Sequence, residues 1–437
     1  MNLTYIKDSF EQLKSEGLEN AVARLRLQGF EAFEQTGLPT RRNEEWKYTG
    51  ISGLFDNPAY LAADTPEAQP ESAIVDAVRL PGHLQANELV FVNGRFSPML
   101  STIRSPKSQL TVLPLEEAAK GSYKELVMEH LGKSSASIRD GVHALNTSFI
   151  QEGVFIHVAK GQLLRQPLYL YHISDARQGP VLAQPRSLVI IGENTTMQLV
   201  ETYHTLGPSD SFTNQVMEVV LDKGARLEYY KIQEDAVTAS QVSTTHIRQI
   251  GNSFVHAVTV TLNGGIIRNN MQVVMEAPES EAHLYGLYIL NGHTHADNHT
   301  LVDHTQPNCL SNEYYKGILD GQATGVFNGK IMVRPDAQKT NAYQTNKNVL
   351  LGDDATINTK PQLEIFADDV KCSHGCTVGQ LDENALFYLT ARGIPKADAR
   401  VLLLQAFALD ITEQVKPEPL KKYITRLISE RLSKQSL

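Results

Sequence analysis

QKTNAYQTNKNVL, residues 338–350, is crowded with carboxamides: Gln338, Asn341, Gln344, Asn346 and Asn348. Such a segment can be a polar surface loop. It can also be one coil of a stacked chain, in which amides on neighbouring coils bond to one another as ladders. Its surroundings bear on the choice. From about residue 140 to 378, strand-like runs follow one another with almost no helical periodicity between them. SLVIIG, TMQLVETYH, QVMEVVLD, RLEYYKIQ, SFVHAVTVTL, IRNNMQVVME and AHLYGLYIL are of this kind. Several alternate, with Phe254, Val258, Val260 and Leu262 on one face of one run. The turns between them carry Gly, Asn or Asp, as in IGENT, LDKGA, LNGG and LGDDA. Roughly 240 residues of short strands allow a sandwich, a propeller or a coiled parallel β-helix. The turns keep no strict blade period and lack propeller dipeptides, which favours the β-helix.

Outside this region the pattern is helical. LENAVARLRLQGFEAF (18–33) places Val22, Leu25, Phe30 and Phe33 near helical spacing, and Gly37 and Pro39 stop it. Residues 56–87 read as loop. ELVFVNGRFSPML (88–100) reads as a hairpin around Asn93-Gly94, and PLEEAAKGSYKELVMEHLG (114–132) as helix. Helices return after residue 380. Gly393 is a good C-cap, and Pro395 suits the first turn of the next helix. That helix is apolar nearly all round, so it must bury against its own domain or a partner. The expected organisation is a largely helical N-terminal domain with a hairpin (1–138), a β-rich core (139–378) and a helical C-terminal domain (379–437).

The chain has 437 residues and a net charge of -9, which argues against a general nucleic-acid binder. No secretory signal and no membrane-length apolar run is found, so the expected location is cytoplasmic. Three cysteines do not make a disulfide framework. There is no GxxxxGK[ST], GxGxxG after a strand, GxSxG or HExxH. Any chemistry is therefore metal handling, or it belongs to a partner.

Two constellations remain. In DDVKCSHGCTVGQLD, an extended chain would set Cys372, His374 and Cys376 on one face, about 6.5–7 Å apart along the strand. That is too wide for all three to close on one tetrahedral zinc. The row can lend one or two ligands to a site shared with another chain, or it can be a buried strand with cysteine as a small apolar residue. In NGHTHADNHTLVDH (291–304), His293, His295, Asp297, His299 and Asp303 share parity, with His304 on the other. This is a metal ladder or, as favoured here, a set of histidines satisfied by aspartates. Cys309 reads as a buried thiol.

RRNEEWKYT (41–49), LVFVNGRFSP (89–98), DNHTLVDH (297–304), YKGILDGQATGVFNGKIMVRPDAQKTNAYQTNKNVLL (315–351) and DDVKCSHGCTVGQLDENALFYLTARGI (368–394) resemble the SufB/SufD family of iron–sulfur cluster assembly proteins. The resemblance covers most of the chain. RRNEEWKYT and KCSHG place it on the SufD side, since a SufB-like partner is expected to carry a reactive cysteine in the comparable place. It implies a right-handed parallel β-helix with helical regions at both ends. It also implies a non-catalytic scaffold that pairs with a SufB-like paralogue and docks a SufC-like ATPase through its C-terminal helices, with Leu386, Tyr388, Leu403 and Phe407 as interface candidates. His374 is then expected at the paired interface as a ligand of the nascent cluster, with Cys372 as helper and Cys376 less secure. The cluster or iron would be transient, with no cofactor held tightly by the isolated chain and a flavin in the complex left open. The oligomer formed by the chain alone is left open, a homodimer through the β-helix edge being one option, because an edge built for a paralogue can pair with itself. The rival readings are a SufB-like scaffold homodimer that holds the cluster alone and a β-helix carbohydrate-active enzyme. The latter would need paired carboxylates, for which Asp297 and Asp303 could be recruited.

Overall fold

The structure, a computed structural model, describes residues 4–15, 21–56, 72–150 and 153–434. Its centre is a parallel β-solenoid of about eight turns. Each turn contributes one strand to each of two facing sheets. Sheet one runs from the hairpin Asn87–Val92 and Arg95–Phe96 through Leu168–Asp175, Thr196–Leu206, Arg226–Glu234, Phe254–Asn263, Glu281–Leu290, Leu310–Leu319 and Thr340–Leu350 to Val370–Gly379. Sheet two runs from Leu110–Pro114 through Val154–Val158, Arg186–Ile191, Ser211–Leu221, Ala239–Gln249, Ile266–Met275, His295–His304 and Thr324–Val333 to Thr356–Ile365. The repeat is irregular: register partners lie 26 residues apart at Gln241 and Ile267 but 32 apart at Thr324 and Thr356. This is why no fixed period is visible in the sequence.

The hairpin read inside 1–138 pairs in parallel with Leu168–Asp175, so the solenoid draws strands from before residue 139. Its turn needs a left-handed backbone at Asn93 (φ 50) and Gly94 (φ 82). A Cβ at Gly94 would also meet the Gln184 nitrogen at 2.5 Å, so glycine serves twice there. The 56–87 segment read as loop lies partly outside the described residues. Its described part includes a short helix, Ser72–Asp76.

Many strands lack clean alternation because both faces are buried. One face fills the lumen, with Leu89, Ile156, Met197, Leu227, Val273 and Tyr288 among its apolar lining. The outer face of sheet one is covered by the C-terminal helices Lys396–Thr412 and Glu418–Lys434. Val258, Val260 and Leu262 lie on that face against Leu404, Ile411 and Ile424. The outer face of sheet two takes the N-terminal helices. Phe10, Phe30 and Phe33 pack there with Phe212 and Val242.

The amide-rich stretch is the strand Thr340–Leu350, so it is a coil and not a surface loop, but its amides do not form the like-on-like ladder that the coil reading allowed. Gln344, Asn346 and Asn348 point into the lumen and bond within sheet one: Asn348 Nδ2 donates to Asn346 Oδ1 on the same strand at 2.7 Å, and Asn346 Nδ2 to the hydroxyl of Tyr288, two strands back, at 3.0 Å. An amide ladder does exist, but on sheet two, where Asn269 Nδ2 donates to Asn298 Oδ1 at 3.1 Å.

Burial also sets a pH response. It pushes the imidazoles of His143, His204 and His304 down, to about 3, 4 and 4. The unfolded chain protonates these groups below about pH 6.5 while the folded chain does not, so stability falls as pH falls through that range. Burial pushes the Glu313 carboxyl up to about 7. That single group acts in the opposite sense between about pH 4.5 and 7, because the folded chain keeps its proton. Three groups outweigh one, so the thermal midpoint is expected to be lower at pH 5 than at pH 7.5. A midpoint that rises on acidification would contradict this assignment.

Candidate functional site

The two ends of the solenoid differ. At the N-terminal end, Arg95–Phe96 and Leu110–Pro114 turn antiparallel to their neighbours and close the sheets. At the C-terminal end, Thr356–Ile365 and Val370–Gly379 are the last strands of the two sheets, and neither has a second strand partner among the described residues. The terminal strand of sheet one is mostly exposed. Proteins normally blunt or cover such edges, because unpaired N–H and C=O groups invite another chain.

This edge strand carries the Cys–His row. Cys372, His374 and Cys376 pair in register with Ala342, Gln344 and Asn346 and so share the lumen-facing side. Cys372 packs against Ile331, Val333 and Ala342. Burial pushes its thiol up, so it rests protonated until a metal or a base takes the proton. His374 and Cys376 are exposed, with no turn stacked above them among the described residues. The row therefore rims the open mouth of the solenoid instead of lying in a buried strand. Among the described residues no three His, Cys, Asp or Glu side chains gather closely enough to hold a metal ion. A site here has to be completed by other groups. Cys309 is fully buried in the lumen, its Sγ 3.5 Å from the Ala277 carbonyl, as a packing thiol would be.

The second constellation resolves as a clamp. The WKYT segment lies on the outer face of sheet two. The Trp46 ring is stacked under the Arg268 guanidinium at 3.8 Å, and Arg268 donates to the Glu45 carbonyl at 2.6 Å and to Asp297 Oδ2 at 2.9 Å. Thr49 Oγ1 donates to Asp297 Oδ2 at 2.5 Å and lies 2.8 Å from His295 Nε2. His299 sits between Asp297 (2.9 Å) and Glu45 (3.4 Å). Burial opposes ionisation of Asp297, but the His299 and Arg268 charges prevail and hold its carboxyl well below the usual range. The histidines are thus partly satisfied by aspartate, with Glu45, Arg268 and Thr49 as partners from outside the motif. His293 does not join the face. It lies exposed in the turn before the strand, whose first residue is His295. His304 faces the lumen, 2.9 Å from Ser311 Oγ. Asp303 is bonded to Arg334 at 2.9 Å. The two carboxylates recruited by a glycosidase reading are therefore both committed, one of them fully buried.

The C-terminal helices are bolted to sheet one. Lys316 Nζ donates to the Phe407 carbonyl at 2.8 Å and to Asp410 at 2.5 Å, and His256 Nε2 lies 2.8 Å from the Gln414 carbonyl. Of the four interface candidates, Tyr388 is exposed. Leu386, Leu403 and Phe407 are half-buried, and the Phe407 ring lies under the Lys316 ammonium. Sequence reasoning missed Phe387, which is 73% exposed, and Leu402 and Leu409, which are about half exposed. All three are large apolar side chains left uncovered on the C-terminal helices.

Residues 172–407 match the family described as SUF system FeS cluster assembly, SufBD core domain, and residues 3–170 match the SufBD protein N-terminal region. The chain belongs to the SufBD family. It is 30% identical to the iron–sulfur cluster assembly protein SufD of Escherichia coli, over 91% of this chain and 90% of that protein. It is 31% identical to an iron–sulfur cluster assembly SufBD family protein of Synechocystis, over 96% and 93%. With the SufD of Bacillus subtilis it shares 23% identity over 94% of each chain. The family it belongs to is one of iron–sulfur cluster assembly proteins. Among the described residues, no helix is long and apolar enough to cross a membrane.

Proposed function

We propose that this chain is the non-catalytic, SufD-type scaffold subunit of a cytoplasmic cluster assembly complex. It pairs through the open C-terminal end of its solenoid with a SufB-like paralogue, and its C-terminal helices dock a SufC-like ATPase. The observation that carries this is the two terminal strands, each with one edge unpaired among the described residues, and the Cys–His row on the strand that ends sheet one. An edge of this kind calls for a partner, and an incomplete ligand set calls for the partner's side chains. His374 supplies an imidazole nitrogen, a suitable iron ligand beside a partner thiolate. Cys372 assists from the lumen wall, and Cys376 plays the smaller part. The cluster and its iron are cargo that passes on. No resident cofactor of the isolated chain is part of the proposal, and a flavin in the assembled complex is left to its absorption spectrum.

The helices give the ATPase a lever. They are fixed to sheet one at Lys316, His256 and Tyr230, so a push on them strains the solenoid as a body and reaches the mouth. Co-expression with the paralogue and the ATPase tests the arrangement. A tagged chain should bring down both. Phe387→Glu combined with Tyr388→Glu should weaken capture of the ATPase at least about tenfold, since buried aromatic anchors dominate interfaces, while capture of the paralogue stays unchanged. Loss of both partners, or of neither, would count against separate docking surfaces.

A further inference from the structure

We propose that Gln344, braced by Glu313, is the positioning residue for His374: in the assembled complex its side-chain carbonyl, unmet in this structure, accepts the hydrogen bond of one imidazole nitrogen and leaves the other free for metal. This rests on the reading of His374 as a cluster ligand.

The register stacks the three residues. His374 lies over Gln344, and Gln344 over Glu313, on successive turns of sheet one. Neighbouring strands are about 4.8 Å apart, close enough for a side chain on one to reach a side chain on the next. Gln344 is 1% exposed. Its Nε2 donates to Glu313 Oε1 at 3.2 Å, and the other carboxyl oxygen of Glu313 accepts from the Thr300 hydroxyl. One end of the Gln344 amide is thereby tied down. The other end, Oε1, is buried with no hydrogen-bond partner. A buried acceptor left unmet is costly and seldom accidental. The strand above it is the last one of the sheet, and the residue directly over it is His374.

The room for this amide is also built. Across the lumen, a Cβ at Gly329 would lie 2.4 Å from Gln344 Nε2 and 2.8 Å from its Cδ. Only a residue without a side chain lets Gln344 take this position. The arrangement is the one that metal-binding histidines use, with the second ring nitrogen donating to a carbonyl or carboxylate that sets tautomer and orientation.

The test uses the full chain labelled with ¹⁵N-histidine and assembled with the paralogue and the ATPase, with the His374 ring signals identified by their loss in His374→Gln. In the wild type, one tautomer of His374 should dominate above neutral pH. Gln344→Met, which keeps the length and removes the carbonyl, should return the ring to the mixture of a free imidazole. In the complex with paralogue and ATPase, it should lower cluster assembly roughly 10–100-fold. Glu313→Gln keeps the shape of the brace and should retain the tautomer, whereas Gly329→Ala should displace the amide and lose it. An unchanged His374 tautomer in Gln344→Met would overturn the proposal. If His374→Gln itself assembled cluster normally, the ligand reading would fall, and the tautomer data would still decide whether the contact exists.

Discussion

His374→Ala is expected to lower cluster assembly by the complete complex at least about tenfold, because a ligand should matter no less than the outer groups that orient it. The side chain stands on the exposed rim of the solenoid and carries no packing load. Its removal should therefore leave the thermal midpoint and the capture of both partners unchanged. That separation of function from stability is what distinguishes a ligand from a structural residue. Anaerobic reconstitution read by iron, sulfide and absorption would measure it. Cys376→Ser should have a smaller effect, and Cys372→Ser an intermediate one, since Cys372 also packs against Val333 and Ala342.

Glu218→Ala is expected to destabilise the fold by about 3–5 kcal/mol, the usual consequence of stripping one partner from a buried ion pair. Arg186 is fully buried, and its guanidinium lies 2.6 Å from Glu218. The same carboxylate accepts from the Gly132 and Ser134 amides at 2.9 and 2.7 Å. It thus pins the start of the short 3-10 helix Lys133–Ala136 of the N-terminal region to sheet two. Burial opposes its ionisation, yet Arg186 and these amides hold its carboxyl at about 2. Denaturant unfolding would measure the loss. A variant within about 1 kcal/mol of the parent would mean that the ion pair is not the anchor described.

The strand-rich core, the hairpin turn and the terminal helices were legible in the sequence, because turn chemistry and apolar spacing are local. The placement of the Cys–His row on one strand face was legible for the same reason: parity follows from the period of two. What the row faces was not. Whether residue 374 is covered by another turn depends on how many turns the solenoid makes, which no local pattern encodes. The partners of Asp297 were hidden because Thr49 and Arg268 are distant in sequence and meet only when the WKYT segment folds back on sheet two. Likewise the amides of 338–350 suggested ladders. Their lumen partners Tyr288 and Glu313 come from earlier turns and bond to them differently. Phe387 was overlooked because an amphipathic pattern does not say which apolar residues stay uncovered.

If the open end of the solenoid is the pairing surface, a probe placed there must meet the paralogue, and site-specific photo-cross-linking reads that contact. A photoreactive phenylalanine would replace Thr377 on the terminal strand, and in a separate protein Leu84, which is 73% exposed near the opposite end. In cells that make the SufB-like paralogue, the Thr377 probe should give one cross-linked species with that paralogue, and the Leu84 probe none. Cross-linking from Leu84 with none from Thr377 would show that pairing uses a different surface.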